Sequence, residues 1–183
     1  LAAMRATGVT RWLPTLITSS FERFAACARA LPACGEAAIA GLHMEGPYLS
    51  PFDGARGAHP CDHVIPASLD DFLRRQDAAG GRIVLVTLAP EVPGALGLVE
   101  QLAARNIRVA IGHTMASPGQ IRDAIGAGAT LSTHLGNGCP QMLPRHDNVI
   151  WEQLAADELS ASLIVDGHHL PPAVVKSLVR AKS

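Results

Sequence analysis

Short apolar runs alternate along the chain with longer stretches in which apolar residues recur every three or four positions. The short runs are rich in β-branched residues, as in IVLV at 83–86, and are typical of buried strands. They predict strands at residues 10–18, 38–45, 82–89, 108–113, 129–134 and 160–165. The periodic stretches predict helices at residues 20–33, 68–79, 94–104, 117–127, 148–156 and 171–181.

Capping residues support these helix boundaries. Ser117 is followed by a proline in the first turn of its predicted helix, and Pro171 and Pro172 open the last helix in the same way. Gly80, Gly81 and Gly128 fall at predicted helix ends, where a left-handed residue is often needed. The element boundaries are therefore marked by the chain itself.

Strands that alternate with helices through short connections predict an α/β fold with a parallel sheet. A doubly wound sheet and a (β/α)8 barrel both fit, although only about six of the eight units of a barrel are visible. No linker or repeat divides the chain, so residues 1–183 are predicted to form a single domain. The longest irregular stretch, 46–66, is rich in Gly and Pro, and such long loops are usually functional.

Composition limits the possible partners. The chain is 48% hydrophobic and 17% charged, but it has no apolar run near the ~20 residues of a membrane helix, so the apolar residues indicate buried strands. A net charge of -1 without a basic run argues against nucleic acid or an anionic membrane as partner.

The cysteines form no CxxC pair and indicate reduced thiols in a cytoplasmic protein: Cys27, Cys34, Cys61 and Cys139. Because the first residue is Leu1, we expect the chain to begin inside a longer protein.

Polar residues follow several predicted strands. Glu45, His113 and His134 lie at three strand ends, and the sequence DGHH at 166–169 follows a fourth. Such ends converge at one mouth of an α/β barrel, where active sites lie. One carboxylate and two imidazoles predict a metal site with an open position for water. Zn²⁺ suits these ligands best, while Fe²⁺, Co²⁺ and Mn²⁺ also fit.

Each polar residue also has a simpler explanation. A single histidine at a strand end is usually a hydrogen-bonded structural residue, and Glu45 would cap nearby backbone N–H groups. For His63 and His146 we favour an exposed loop position, and Asp166 would hydrogen-bond its own following loop. The repetition at successive strand ends favours a site, because a structural explanation needs a separate reason each time.

Six short segments then carry a specific resemblance. They are GLHMEGPYLS at 41–50, GAHP at 57–60, LAPE at 88–91, GHTMA at 112–116, THLGNG at 133–138 and DGHH at 166–169. In order and spacing they resemble the N-acetylglucosamine-6-phosphate deacetylases of the amidohydrolase superfamily. That resemblance covers essentially the whole chain. It implies an incomplete (β/α)8 TIM-type barrel that lacks the first and last strands and the family's β-sandwich.

The resemblance also implies roles for individual residues. The metal ligands would be Glu45, His113 and His134. The substrate contacts would be His59, Asn137, Gly138, Arg145 and His169. Arg145 matches an arginine that reaches the phosphate bound by a neighbouring subunit, which implies a homodimer. The general acid/base is expected to be an aspartate beyond Ser183, so we assign no catalytic residue of that kind to this chain.

The implied reaction is metal-dependent hydrolysis of the N-acetyl amide of N-acetylglucosamine 6-phosphate, a small-molecule substrate. Residues 136–140 and 143–148 depart from the family pattern, which makes the metal site the firmer part of the prediction. Without the aspartate, the chain alone is expected to show little turnover. The alternatives are another amidohydrolase acting on a related amide, and a non-catalytic protein that binds a sugar phosphate or a metal.

Overall fold

The structure, a computed structural model, describes residues 2–31 and 37–183. It contains a parallel sheet whose strand order follows the chain, β1-β2-β3-β4-β5-β6. The strands are β1 (Thr15–Ile17), β2 (Leu42–Glu45), β3 (Ile83–Leu88), β4 (Arg108–Ile111), β5 (Leu131–Ser132) and β6 (Ser160–Ala161). The helices are α1 (Ala2–Ala6), α2 (Phe21–Ala30), α3 (Leu69–Ala78), α4 (Ala95–Ala103), α5 (Pro118–Ala127), α6 (Val149–Ala155) and α7 (Pro172–Ala181).

The strand order decides between the two folds that the sequence left open. A doubly wound sheet reverses its strand order at a switch point, whereas here every strand pairs with the next one along the chain. The register runs parallel throughout, with Thr15 opposite His43 and Ile17 opposite Glu45. The sheet is therefore a partial (β/α)8 barrel, as predicted.

The two faces of the sheet differ in chemistry because successive residues of a strand point to opposite sides. Leu42 and Met44 of β2 are buried in the hydrophobic core, together with Leu102 of α4 and Ile121 of α5. The alternate residues of β2, His43 and Glu45, make polar contacts on the opposite face. The core thus lies between the sheet and its helices, and the polar site lies inside the barrel curve.

Helix starts agree with the capping pattern in the sequence. The side chains of Ser20, Ser68, Ser117 and Asn148 each accept a hydrogen bond from a backbone N–H of the first helical turn. Ser117 and Gln120 complete a capping box. Gly128 ends α5 with a φ of 116°, the left-handed conformation that its position predicted.

The last strand is shorter than predicted. The prediction of a strand over 160–165 is wrong beyond Ala161, and β5 occupies only two residues of the predicted 129–134. Within the described part of the chain, β6 pairs only with β5, and that ladder ends where the chain turns sharply at His134 (φ 34°), so β6 has no partner strand beyond that point. The predicted helix 20–33 ends at Ala30; positions 32 and 33, like Cys34, lie outside the described residues.

The long loop after β2 is mostly irregular, as predicted, with one 3₁₀ turn at Cys61–His63. Tyr48 anchors this loop: its hydroxyl donates to Asp71 Oδ2 (2.8 Å), and its carbonyl accepts from Ala89 N–H (2.9 Å). His146 is exposed, as expected, whereas His63 is half-buried. The cysteines that the structure describes, Cys27, Cys61 and Cys139, are free thiols. No helix in the described ranges has the length and apolarity to cross a bilayer.

Candidate metal centre

The three predicted metal ligands converge inside the barrel curve. Glu45 Oε1 lies 3.2 Å from His113 Nε2 and 3.1 Å from His134 Nε2, and the two Nε2 atoms are 3.0 Å apart. Glu45 ends β2, His113 follows β4, and His134 follows β5. Residues far apart in the chain thus place three potential ligand atoms around one point.

Both histidines adopt a backbone conformation that is rare outside glycine. The φ angles are 52° at His113 and 34° at His134. Such conformations cost of order 1–3 kcal/mol each and persist only where the surroundings enforce them. They let the chain turn sharply after β4 and β5, so that each imidazole points back to Glu45.

Two contacts orient the ring of His113. Its Nδ1 lies 3.0 Å from the carbonyl oxygen of Ala55, which only accepts, so Nδ1 carries a proton and Nε2 is the ring nitrogen that faces Glu45. Burial by itself would raise the pKa of Glu45, but the hydrogen bonds and charge interactions with His113 and His134 outweigh it and lower that pKa strongly. Glu45 is therefore an anion at neutral pH.

The donor set fits a divalent cation. Ligand atoms about 2.0–2.1 Å from a tetrahedral Zn²⁺ stand roughly 3.3 Å apart, close to the separations observed here. His134 Nδ1 is buried and has no hydrogen-bond partner among residues 2–31 and 37–183, while its backbone N–H donates to Ser162 Oγ (2.8 Å). Two imidazoles and one ionised carboxylate that converge in this way have the chemistry of a catalytic zinc site with an open position.

His59 lies beside this centre but is oriented differently. The backbone N–H of Thr18 donates to His59 Nδ1 (3.4 Å), and the Thr18 hydroxyl lies 2.8 Å from the same atom. Because Nδ1 accepts, the neutral ring carries its proton on Nε2. Burial and the neighbouring His113 lower the pKa of His59 to about 4, so the ring is neutral.

A purely geometric grouping offers another ligand set. Glu45, His59 and His113 also have potential ligand atoms within 4.8 Å of one another. We favour His134 over His59 as the third ligand, because the Nε2 of His134 lies within 3.1 Å of both other ligand atoms. His59, with its proton on Nε2, is better placed as a hydrogen-bond donor than as a ligand.

Asn137 and Gly138 belong to the turn after His134. Asn137 N–H donates to the carbonyl of His134 (2.9 Å), and the Gly138 carbonyl accepts from Thr114 N–H (3.1 Å). A Cβ at Gly138 would lie 2.9 Å from His134 Cε1 and 3.1 Å from His113 Nδ1. Gly138 is therefore required for close packing against both imidazoles, in addition to any contact with substrate.

The other two predicted substrate residues lie in separate, exposed arrangements. Arg145 lines a groove between the loop before α6 and helix α7, and its carbonyl accepts from Trp151 Nε1–H (3.0 Å). His169 Nδ1 pairs with Asp166 Oδ2 (2.8 Å). Backbone N–H groups of His169 and His168 donate to Asp166 and lower its pKa to about 2, so the expected bond of Asp166 with its following loop is present.

One supporting residue was given no role by the sequence. Glu91, which ends the LAPE segment, accepts hydrogen bonds from Thr114 Oγ1 (2.5 Å) and Met115 N–H (2.7 Å). These bonds hold the turn that contains His113. The LAPE segment drew attention to Glu91 in the sequence. Its hydrogen-bond partners lie 23 and 24 positions further along the chain, so no local pattern predicted them.

Comparison with known proteins shows that this chain is similar to sugar-phosphate deacetylases. The chain is 36% identical over 183 residues to the N-acetylglucosamine-6-phosphate deacetylase of Bacillus subtilis (strain 168), covering 96% of this chain and 46% of the relative. A structure of N-acetyl-D-glucosamine-6-phosphate deacetylase from Mycobacterium smegmatis superimposes with a TM-score of 0.87 at 32% identity, covering 100% of this chain and 48% of the other. Over nearly its whole length, the chain is similar to about half of an N-acetylglucosamine-6-phosphate deacetylase.

The relatives are named for two different sugar substrates, and the chain matches only part of their length. An N-acetylgalactosamine-6-phosphate deacetylase of Shewanella sp. (strain ANA-3) is 33% identical over all of this chain and 46% of its own length. The chain thus spans about half the length of the curated relatives it matches. No family model matches it. The M. smegmatis protein is a mutant in complex with N-acetyl-D-glucosamine-6-phosphate.

Proposed function

We propose that the protein containing this chain hydrolyses the N-acetyl amide of N-acetylglucosamine 6-phosphate to acetate and glucosamine 6-phosphate. The observation that carries the proposal is the convergence of Glu45 Oε1, His113 Nε2 and His134 Nε2 within 3.0–3.2 Å of one another. Relatives named for this activity match 95–96% of the chain, which supports the choice of substrate.

In this proposal Glu45, His113 and His134 hold a divalent cation, with Zn²⁺ as the preferred ion. A divalent cation supplies a Lewis acid that polarises the amide carbonyl and lowers the pKa of a water. His59 stays neutral and donates its Nε2 proton in a hydrogen bond to the carbonyl oxygen, whose negative charge grows during the reaction. Ionised Glu45 contributes the one negative charge among the three ligands.

The remaining predicted residues would bind the sugar phosphate. Gly138 packs against the imidazoles of His113 and His134, Asn137 lines the same small cavity as His113, and both residues would contact the sugar ring. The guanidinium of Arg145 suits a phosphate, to which it can donate two parallel hydrogen bonds. His169 would add a further contact. We further propose that an aspartate after residue 183 transfers the proton. The protein would act as a homodimer in the cytoplasm.

A second substrate has specific support. N-acetylgalactosamine 6-phosphate is the substrate in the name of the Shewanella relative, which is 33% identical over the whole chain. Residues 136–140, beside the ligand histidines, depart from the glucosamine-type pattern. The two sugars differ at a single ring carbon, so the metal centre serves both and the sugar contacts discriminate between them.

The test is turnover by the full-length protein after reconstitution with Zn²⁺ or Co²⁺. We expect acetate release from one or both 6-phosphate sugars, with loss of activity in the Glu45→Gln variant and retention in the Glu100→Gln variant, which makes the same change at an exposed position of α4. A protein that binds the metal and the sugar phosphates but releases no acetate would instead be the non-catalytic alternative. Hydrolysis of unrelated amides alone would indicate another type of amidohydrolase.

A further inference from the structure

A row of hydrogen bonds, buried except at its Thr15 end, crosses the sheet next to the candidate metal centre. His43 Nε2 lies 2.7 Å from Thr87 Oγ1, and Thr87 Oγ1 lies 2.7 Å from Thr133 Oγ1. The other ring nitrogen, His43 Nδ1, lies 3.0 Å from Thr15 Oγ1. These side chains, which we call the threonine–histidine row, connect β1, β2, β3 and the segment after β5.

The row passes over β4 because of a glycine. A Cβ at Gly112 would lie 2.8 Å from Thr87 Cγ2, closer than real Cβ contacts allow, and 3.0 Å from Thr133 Cβ, tighter than most of them. With any larger residue at position 112, Thr87 and Thr133 would be pushed apart. Gly112 therefore permits the hydroxyl contact between two segments that are separated by β4.

Each segment that carries a proposed metal ligand also carries a residue of the threonine–histidine row or the glycine that the row passes over. His43 precedes Glu45 by two residues on the same face of β2, and Thr133 immediately precedes His134. Gly112 immediately precedes His113. The row thus sets the relative positions of three strand ends directly beside the three ligands.

Directional bonds matter at this place for two reasons. Buried hydroxyl and imidazole groups cost free energy unless they are paired, and they accept only a narrow range of distances, so a paired row resists sliding of one strand past another. In addition, His113 and His134 have φ angles of 52° and 34°, and such strained positions persist only where neighbouring contacts enforce them. An apolar layer would fill the same space without fixing the offset between strands.

We propose that His43, Thr87 and Thr133 are positioning residues that hold Glu45, His113 and His134 at ligand distance. This inference rests on the proposed metal site. It assigns the row a role in metal binding that is separate from its contribution to the stability of the barrel.

The test uses paired substitutions at Thr87 in the full-length protein. Thr87→Val keeps the shape of the side chain and removes the hydroxyl, whereas Thr87→Ser keeps the hydroxyl. The readouts are the Co²⁺ dissociation constant and the visible absorption of the Co²⁺ form, which reports ligand geometry. We expect Thr87→Val to weaken Co²⁺ binding about tenfold and to alter the spectrum, while Thr87→Ser stays within about threefold of the wild type.

Several outcomes separate this proposal from the metal site itself. Wild-type protein that fails to bind Co²⁺ would refute the metal site and the row's role together. Wild-type binding with unchanged affinity and spectrum in Thr87→Val would overturn only the positioning role, whatever the change in melting temperature. If Thr87→Val does not fold, Thr133→Val removes the other end of the same bond and carries the same expectation. Failure of both valine variants to fold would show that the row holds the barrel and would overturn the proposal.

Discussion

The candidate metal centre and the loops at 141–148 and 166–169, which we call the distal loops, are supported in different ways. At the metal centre, hydrogen-bond partners lie far apart in sequence: 68 residues separate Glu45 from His113, and 89 separate Glu45 from His134. In the distal loops the corresponding separations are three residues for Asp166 and His169, and six for Arg145 and Trp151.

Burial follows the same division. Glu45 and His113 expose 8% and 7% of their surfaces, whereas Arg145 and His169 are exposed. Bonds within three to six residues form wherever the local turn forms, while the metal centre exists only when the sheet has been assembled. We therefore expect substitutions at the metal centre to act on metal binding, and substitutions in the distal loops to act on substrate binding with little effect elsewhere.

The largest effect is expected for Glu45→Gln. This change removes the negative charge among the three ligands and should weaken Zn²⁺ or Co²⁺ binding by at least about 100-fold, because even outer-shell partners contribute about 10–100-fold. Isothermal titration calorimetry on the full-length protein measures the affinity. The control is His146→Gln, which changes an exposed distal-loop histidine and should leave the affinity within about twofold. Equal losses in the two variants would remove the distinction between the regions.

A smaller loss is expected for Glu91→Gln. The carboxylate accepts two hydrogen bonds from the turn that carries His113, and a neutral amide holds that turn less firmly. We expect metal affinity to fall about tenfold. Glu100→Gln, at an exposed position of α4, is the matched control. Unchanged metal affinity in Glu91→Gln would show that the His113 turn is held by its other contacts alone.

The pH dependence of the unfolding free energy tests whether burial keeps the His59 ring neutral in the native protein. The pKa of His59 is lowered from 6.5 to about 4, so between these values the unfolded chain binds a proton that the native protein does not. Stability is therefore full above pH 6.5 and falls as the pH decreases towards 4. In metal-free protein, the loss between about pH 7.5 and about pH 5.5 should include about 1 kcal/mol from His59.

Urea unfolding at the two pH values measures this loss. The His59→Gln variant should show a shallower decline than the wild type, and His146→Gln should retain the wild-type decline. An identical slope in all three proteins would mean that His59 is protonated as readily in the native state as in the unfolded chain.

The smallest effect on the fold is expected for Asp166→Asn. Asp166 is exposed, and in the part of the chain that the structure describes its hydrogen bonds go to His168 and His169, so the unfolding free energy should change by less than about 0.5 kcal/mol. Metal affinity should also stay unchanged, while the KM for a sugar phosphate rises because His169 loses its orienting partner. A loss of metal affinity as large as that of Glu91→Gln would show that the distal loops support the metal centre after all.

The local elements of this protein are readable from its sequence. Helix starts at Ser68 and Ser117 and the turn at Gly128 follow from side-chain and backbone chemistry within about one helical turn. The placement of Glu45, His113 and His134 at strand ends is also visible, since parallel strands connected through helices bring their carboxyl ends to one edge. These features depend on residues close in sequence and on a general rule of topology.

Only the tertiary structure decided the features that depend on residues far apart in the chain. The strand order excluded a doubly wound sheet, and the sharp turn at His134 after β5 limits the ladder of β5 with β6 to two residues. The bond from Thr18 to His59, across 41 residues, fixed which ring nitrogen carries the proton. Glu91 and the threonine–histidine row acquired roles only when the sheet brought residues 23 to 46 positions apart into contact. Periodicity and caps are local, whereas these contacts depend on how the whole sheet winds.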